Sequence, residues 1–187
     1  MGYLRRWIAK KSKATRNALI VKKIDEITAS KEVSIKDLDG LKDIFNEKLD
    51  PAIAVSSGVV TNQSGFNWLD KLKDSDGKYV LQADPTNATK KLLFGEYPVT
   101  VVSNKVLKSK GVGSLGQETA WKHPIICGDL KEAITIFDRE NMTIEISTEA
   151  GDLWGKDQTG IKVRERLDIQ AVDEEAIVKA EVEIATP

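Results

Sequence analysis

The chain has one cysteine, Cys127, and one histidine, His123, in 187 residues. A single thiol excludes an internal disulfide and a cysteine-cluster zinc site. No apolar run approaches the roughly 18 residues needed to span a bilayer. The N-terminus is basic, yet no apolar signal core or small-residue cleavage site follows it, so the expected compartment is the cytoplasm. Proline and glycine are missing from Tyr3 to Thr28. Repeats and low-complexity tracts are missing throughout.

What is present is ordinary for a folded protein: 41% hydrophobic and 30% charged residues. The length suits one domain or two small lobes with a real core. Net charge is near zero but unevenly spread. Arg5, Arg6, Lys10, Lys11, Lys13, Arg16, Lys22 and Lys23 form a basic stretch without an acid. From Asp129 onward acids outnumber bases about two to one. A nucleic-acid-binding arm, a subunit end that meets opposite charge on a neighbour, and a solvated helix face all fit this split.

The proline-free stretch predicts one long amphipathic helix of about seven turns, with Tyr3, Trp7, Ala14, Ala18 and Val21 near helical spacing. So long a helix needs a neighbour, because propensity alone stabilises it little. Ser34 and Asp37 suit the start of a second helix, with an apolar stripe of Ile35, Leu38, Leu41, Ile44, Phe45 and Leu49, ended by Asp50-Pro51. A strand is expected over Ile53–Thr61, then a helix capped by Asn62 running to about Asp74. Asp76-Gly77 reads as a tight turn before Tyr79-Val80-Leu81. Gln82–Lys90 reads as a polar loop, and Lys91–Val102 as strand interrupted at Gly95 and Pro98. Ser103–Lys122 reads as a long loop of the kind that serves function or assembly.

His123–Cys127 reads as a short buried strand. Asp129 with Glu132 suits a brief capped helix turn. Ala133–Asp138 and Met142–Ser147 are expected to pair, with Glu140-Asn141 at their turn. Glu149–Gln158 reads as irregular. Gly160–Ala171 alternates as a long half-exposed strand, and Ala176–Ile184 is a final strand after an acidic turn.

Several chemical motifs fail on inspection. Gly111, Gly113 and Gly116 fit G-x-G-x-x-G, but lysine-rich coil precedes them and Pro124 leaves room for barely two helical turns after them. Asp74-Ser-Asp76-Gly77 resembles the start of a calcium loop, yet its third acidic ligand is missing and Pro85 stands where the bidentate glutamate belongs. On a strand His123 and Cys127 lie roughly 13 Å apart, beyond thiolate–imidazole reach. Asp173-Glu174-Glu175 reads as a solvated corner, and nothing sets two carboxylates across a cleft. The four tryptophans are scattered. These residues predict no catalytic, cofactor-binding or metal site, and hence no enzyme.

The order of several stretches carries more information. Tyr3-Leu-Arg-Arg-Trp-Ile-Ala-Lys-Lys-Ser12 with Thr15-Arg-Asn-Ala-Leu-Ile20 comes first, then Asn62-Gln-Ser-Gly-Phe66 with Leu69-Asp-Lys-Leu-Lys-Asp-Ser-Asp-Gly-Lys78. Leu92-Leu-Phe-Gly-Glu-Tyr-Pro-Val99, Pro124-Ile-Ile-Cys-Gly-Asp-Leu130, Ile136-Phe-Asp-Arg139 and Val163-Arg-Glu-Arg166 follow. This ordered set resembles the major capsid proteins of tailed phages with the Hong Kong 97-type fold, especially those of phages and prophages of Gram-positive bacteria.

The resemblance implies an α+β subunit with a long spine helix. A peripheral domain would hold residues 1–51 and 141–172, and an axial domain 52–140 and 173–187. The loops Gln82–Lys90 and Ser103–Lys122 would gather at the capsomer axis. It implies a structural role in an icosahedral head, in the virion and before that in the host cytoplasm. The partners would be other copies of the chain as hexamers and pentamers, with scaffolding protein, portal and packaged DNA as further partners. No membrane or small-molecule partner is implied. Family members carry an arm and an extended loop before the spine helix. Here Met1 lies almost at that helix, so a C-terminal portion is expected. The region matching the family's cross-linking asparagine reads Asp157-Gln-Thr-Gly160, and cross-linking is not carried over. An encapsulin-like cargo shell, or a nucleic-acid-binding protein using the basic helix, are the alternatives.

Overall fold

A computed structural model of the chain describes residues 2–28, 32–87, 89–114 and 117–185. Helix α1 (Gly2–Thr28) precedes strand β1 (Val33–Ile35) and helix α2 (Leu38–Asp43), which continues as a π-helical turn, Ile44–Lys48. Helix α3 (Pro51–Ala54), strand β2 (Gly58–Asn62) and helix α4 (Gln63–Lys71) follow. Strands β3 (Leu81–Ala83), β4 (Lys91–Leu93), β5 (Tyr97–Val102), β6 (Lys110–Ser114) and β7 (Gln117–Gly128) come next. Helix α5 (Leu130–Ala133) leads to β8 (Ile134–Ser147), β9 (Gly160–Ala171) and β10 (Ile177–Ala185). Contacts divide the chain into two units, Met1–Ile134 with Ala171–Pro187, and Thr135–Gln170.

The first unit is organised around β7. The apolar run from His123 to Cys127 is buried because β10 pairs antiparallel along one edge and β2 along the other. The mixed sheet runs β1-β10-β7-β2-β5-β4-β3, with β6 also paired to β7. Strand alternation sends Ile125, Cys127, Val178, Ala180 and Val182 to one face, where Leu41, Ile44, Phe45 and Leu69 from α2, its π turn and α4 cover them. Ile126 and Ile177 face the other way and meet Ile24 and Ile27 of α1. Each fully buried Leu or Ile here contributes roughly 1.5–3 kcal/mol.

The long helix forms as expected, and its packed face is described over its last turns. Ile20, Val21, Ile24 and Ile27 form that face, and Ala18 is exposed. The side chains of Tyr3, Trp7 and Ala14 lie outside the described residues. Of the predicted set only Ala18 and Val21 fall among the described side chains; Val21 packs, joined by Ile20, Ile24 and Ile27 in the last turns. There Thr28 Oγ1 donates to the Ile24 carbonyl at 2.7 Å and closes the helix.

The second helix starts later than Ser34. Val33–Ile35 is a strand parallel to β10, and Asp37 caps α2 by accepting from Gly40 N at 3.1 Å. Parallel pairing with β10, invisible locally, outweighs the capping preference of Ser34. Likewise Asp50 does not only end a helix. It accepts from Ala52 N at 2.8 Å and starts α3, so the predicted strand shortens to Gly58–Asn62. Asn62 caps α4 as expected, accepting from Gly65 N at 2.8 Å. The turn at Asp76-Gly77 also forms, with Gly77 at φ +77°. The interruption at Gly95 is the β4–β5 turn, where Phe94 and Gly95 both have positive φ, 58° and 76°.

Two expectations are overturned. Ser103–Lys122 is not a twenty-residue loop: its second half is the β6–β7 hairpin, with a bulge between Val112 and Gly113. Ala133–Ser147 is not a hairpin turning at Glu140-Asn141. It is one long strand, β8, whose partner is β9. The second unit is this two-stranded sheet, with a 3-10 turn over Gly151–Lys156 between its strands. β9 has the predicted bounds, Gly160–Ala171.

Candidate functional site

The chemistry-bearing residues stand where the pairing of β7 puts them. Cys127 is fully buried in the sheet, and burial pushes its thiol up to about 12, so it packs as an apolar side chain. His123 lies on the same strand, and burial lowers its basicity. Its Nδ1 is 2.7 Å from Ser109 Oγ. Asn62 Nδ2 in turn donates to Ser109 Oγ at 2.8 Å and to the Leu107 carbonyl at 3.2 Å. The Asn62 amide is oriented by the capping bond its Oδ1 accepts from Gly65. Sequence reading passed over Ser109. Its only signal was position in the loop before β7, and only the hairpin brings it to His123.

The other motifs are structural. Gly111 and Gly113 lie in strand β6, so no helix N-terminus follows them at phosphate-binding distance, and Gly116 lies outside the described residues. The Asp74 carbonyl closes the tight turn, accepting from Gly77 N at 2.9 Å, and its carboxylate accepts from Ser75 N at 2.7 Å. Asp173 caps a 3-10 turn through Glu175 N at 2.8 Å. Among the described residues no group of carboxylates, histidine and cysteine could hold a metal ion.

A charged cluster joins α1 to the sheet. Lys179 of β10 has a side chain only 3% exposed, and its ammonium lies 2.8 Å from Asp25 and 3.1 Å from Glu32. Lys110 bonds both Glu32 and Glu181 at 2.9 Å. These partners raise the Lys110 ammonium, with Glu181 the larger influence, and Lys110 likewise holds Glu32 below the usual carboxylate range. The cluster fixes the end of α1 beside β10. On α1 itself Lys22 and Lys23 both pair with Glu26, at 3.7 and 3.2 Å, so part of the basic stretch's charge is offset within its own helix. The side chains of Arg5, Arg6, Lys10 and Lys11 lie outside the described residues.

The second unit presents long, uncovered strand surfaces. Phe137, Ile144, Ile146, Ile161 and Val163 are all exposed on β8 and β9, and Trp154 on the connecting turn is 76% exposed. Cross-strand charges hold the pair together. Lys162 lies 3.6 Å from Glu145, and Arg166 3.4 Å from Glu140. Arg164 Nε stands 3.1 Å from Glu140 as an ion pair without hydrogen-bond geometry. A lone two-stranded sheet is marginal in water, and apolar residues on it favour a covering partner.

A mixed sheet covered by helices on both faces, with a separate long-stranded hairpin, defines an α+β protein that offers surfaces more than an enclosed reaction site. The model of the phage capsid family matches residues 3–182, and the chain belongs to that family. No curated protein sequence matches it. Among solved structures it is similar to the capsid of a native GTA particle, with 18% identity and a TM-score of 0.55 over 83% of this chain and 49% of that one. The capsid of the empty GTA particle gives 16% identity and 0.53 over 83% and 50%. Gordonia phage Cozz gives 16% and 0.53 over 85% and 51%. At these identities the likeness establishes the fold. The chain spans about half the length of the solved chains it matches. The family is one of structural proteins.

Proposed function

We propose that this chain is a wall-building subunit of a phage head, associating with copies of itself as hexamers and pentamers. Membership of the phage capsid family supports this reading. The observation that carries it is the hairpin Thr135–Gln170, whose long strands leave Phe137, Ile144, Ile146, Ile161 and Val163 in solvent. A subunit in a shell covers such strands with its neighbours. The division into a peripheral part (1–51 and 141–172) and an axial part (52–140 and 173–187) belongs to the same proposal. The separateness of the hairpin supports only its strand part, since residues 1–51 fall in the same unit as the sheet. Scaffolding protein, portal and DNA complete the partners proposed, and the virion is the location. The host cytoplasm is the proposed place of assembly.

The test is electron microscopy of particles formed when the full open reading frame encoding this chain is expressed with the neighbouring head-assembly genes. Closed isometric shells are expected. Soluble, folded subunits that never close into shells under those conditions would reject the proposal.

A further inference from the structure

A second surface lies beside Ser109 and His123, away from the hairpin. A cleft of about 610 Å³ opens between the start of α4, the segment before β6 and strand β7. Its size falls in the range of small-molecule sites. No carboxylate is among the residues that line it.

Its lining is rich in hydrogen-bond donors. Asn62 Nδ2 donates to Ser109 Oγ at 2.8 Å, and the same oxygen lies 2.7 Å from His123 Nδ1, the direction of that bond following the imidazole tautomer. Either tautomer of the neutral imidazole satisfies this contact. Buried His123 favours the neutral form. Across the cleft, Asn104 Oδ1 accepts from Gln63 N at 3.0 Å, which turns its amide nitrogen to donate to Ser64 Oγ at 3.2 Å. The Ser64 hydroxyl therefore keeps its own proton to donate. Lys105 and Lys108 complete the lining, and neither has a carboxylate partner among the described residues. Lys110, Lys122 and Lys179 nearby are all paired. Beside these donors lies Trp121, a large planar ring left 38% exposed.

Two ammonium groups without a carboxylate partner among the described residues, with the Ser64 hydroxyl beside them, suit an oxyanion with several acceptor oxygens. An exposed indole beside them suits a flat ring. We propose that this cleft binds a phosphate ester carrying a nucleobase, with the phosphate at Lys105 and Lys108 and the base on Trp121. Free nucleotides and single-stranded nucleic acid share this chemistry.

The test measures binding of a short fluorescent oligothymidylate by anisotropy at about 50 mM salt. A mononucleotide, a duplex and an abasic phosphodiester serve as competitors. For single-stranded nucleic acid, the unmodified protein binds the oligonucleotide and the mononucleotide competes weakly. For free nucleotides, the mononucleotide competes at least as well as the oligonucleotide. Either result supports the cleft. K105Q/K108Q should weaken binding about tenfold and flatten the slope of log affinity on log salt by about 1.4, two contacts at about 0.7 each. W121L should weaken oligonucleotide binding about tenfold and leave abasic competitor binding unchanged. His123, the only histidine, supplies an independent readout. Its ring NMR signals should move on adding ligand, and not in K105Q/K108Q. Circular dichroism checks that each variant is folded. Three results would each overturn the proposal: no binding by the unmodified protein, the same affinity in all variants, or an acidic peptide binding as tightly as the oligonucleotide. Equal affinity in all variants would show that any nucleic-acid binding lies outside the cleft.

Discussion

Gly128 ends β7 at φ +131°, a conformation that residues with a Cβ rarely adopt. A Cβ there would also fall on the Ala176 carbonyl oxygen, which accepts from Asp129 N at 3.0 Å. Backbone cannot move aside as a flexible side chain can. Gly128→Ala should therefore destabilise the protein by about 3 kcal/mol or more, seen as a lower urea midpoint or loss of soluble protein. His123 gives a second residue-scale expectation. Burial lowers its pKa from the ordinary 6.5, so below that pH the unfolded chain takes up a proton that the folded chain resists. The stability it contributes is complete above 6.5 and is lost as pH falls towards the folded value. Urea midpoints should decline between about pH 7.5 and 5.5. His123→Gln should flatten that decline.

At the scale of elements, what was legible locally was what local chemistry decides. Asn62 caps α4 because its side chain reaches Gly65 N, and the alternation of Gly160–Ala171 gives β9 its bounds. β1 was not legible, since Val33–Ile35 owes its strand conformation to β10, far along the chain. Nor was the continuity of β8. Glu140-Asn141 has turn composition, but Glu140 faces Arg164 and Arg166 on β9 and is held in the strand by them. The candidate site shows the same limit. Ser109 and His123 lie 14 residues apart and meet only because β6 folds back on β7. The hairpin also invites a direct test. Val172 N donates to the Ala133 carbonyl at 2.9 Å, so the two ends of the segment 135–170 already touch within the first unit. Replacing that segment by a short Gly/Ser link should leave the sheet of the first unit folded, because loop closure there costs little. Retained β-sheet circular dichroism and a single cooperative melt would bear this out. A molten or aggregated product would show that the unit depends on the hairpin.

For the whole molecule, the balance lies between a covered sheet and an under-covered hairpin. The first unit buries apolar residues on both faces of its sheet. The second exposes apolar strand residues and Trp154. Self-association should thus depend on the hairpin and stability on the sheet. Ile144→Lys with Ile146→Lys should reduce assembly at least tenfold, read by sedimentation. The same pair should shift the melting temperature little, since both side chains are already exposed.

The sequence alone determined the elements whose signals are short in range: the long proline-free helix, the Asn62 and Asp129 caps, the Asp76-Gly77 turn and the alternating β9. In those cases the decisive partners lie within a few residues, or the periodicity is regular enough to read directly. Through the order of its segments the sequence also pointed to the phage capsid family, which the family model then matched over residues 3–182. Only the tertiary structure decided which face of α1 packs, that β6 and β7 form a hairpin, that β8 is one strand, and that Lys179 is buried among acids. Each of those outcomes depends on partners brought together from distant parts of the chain, where long-range pairing and burial outweigh local preference.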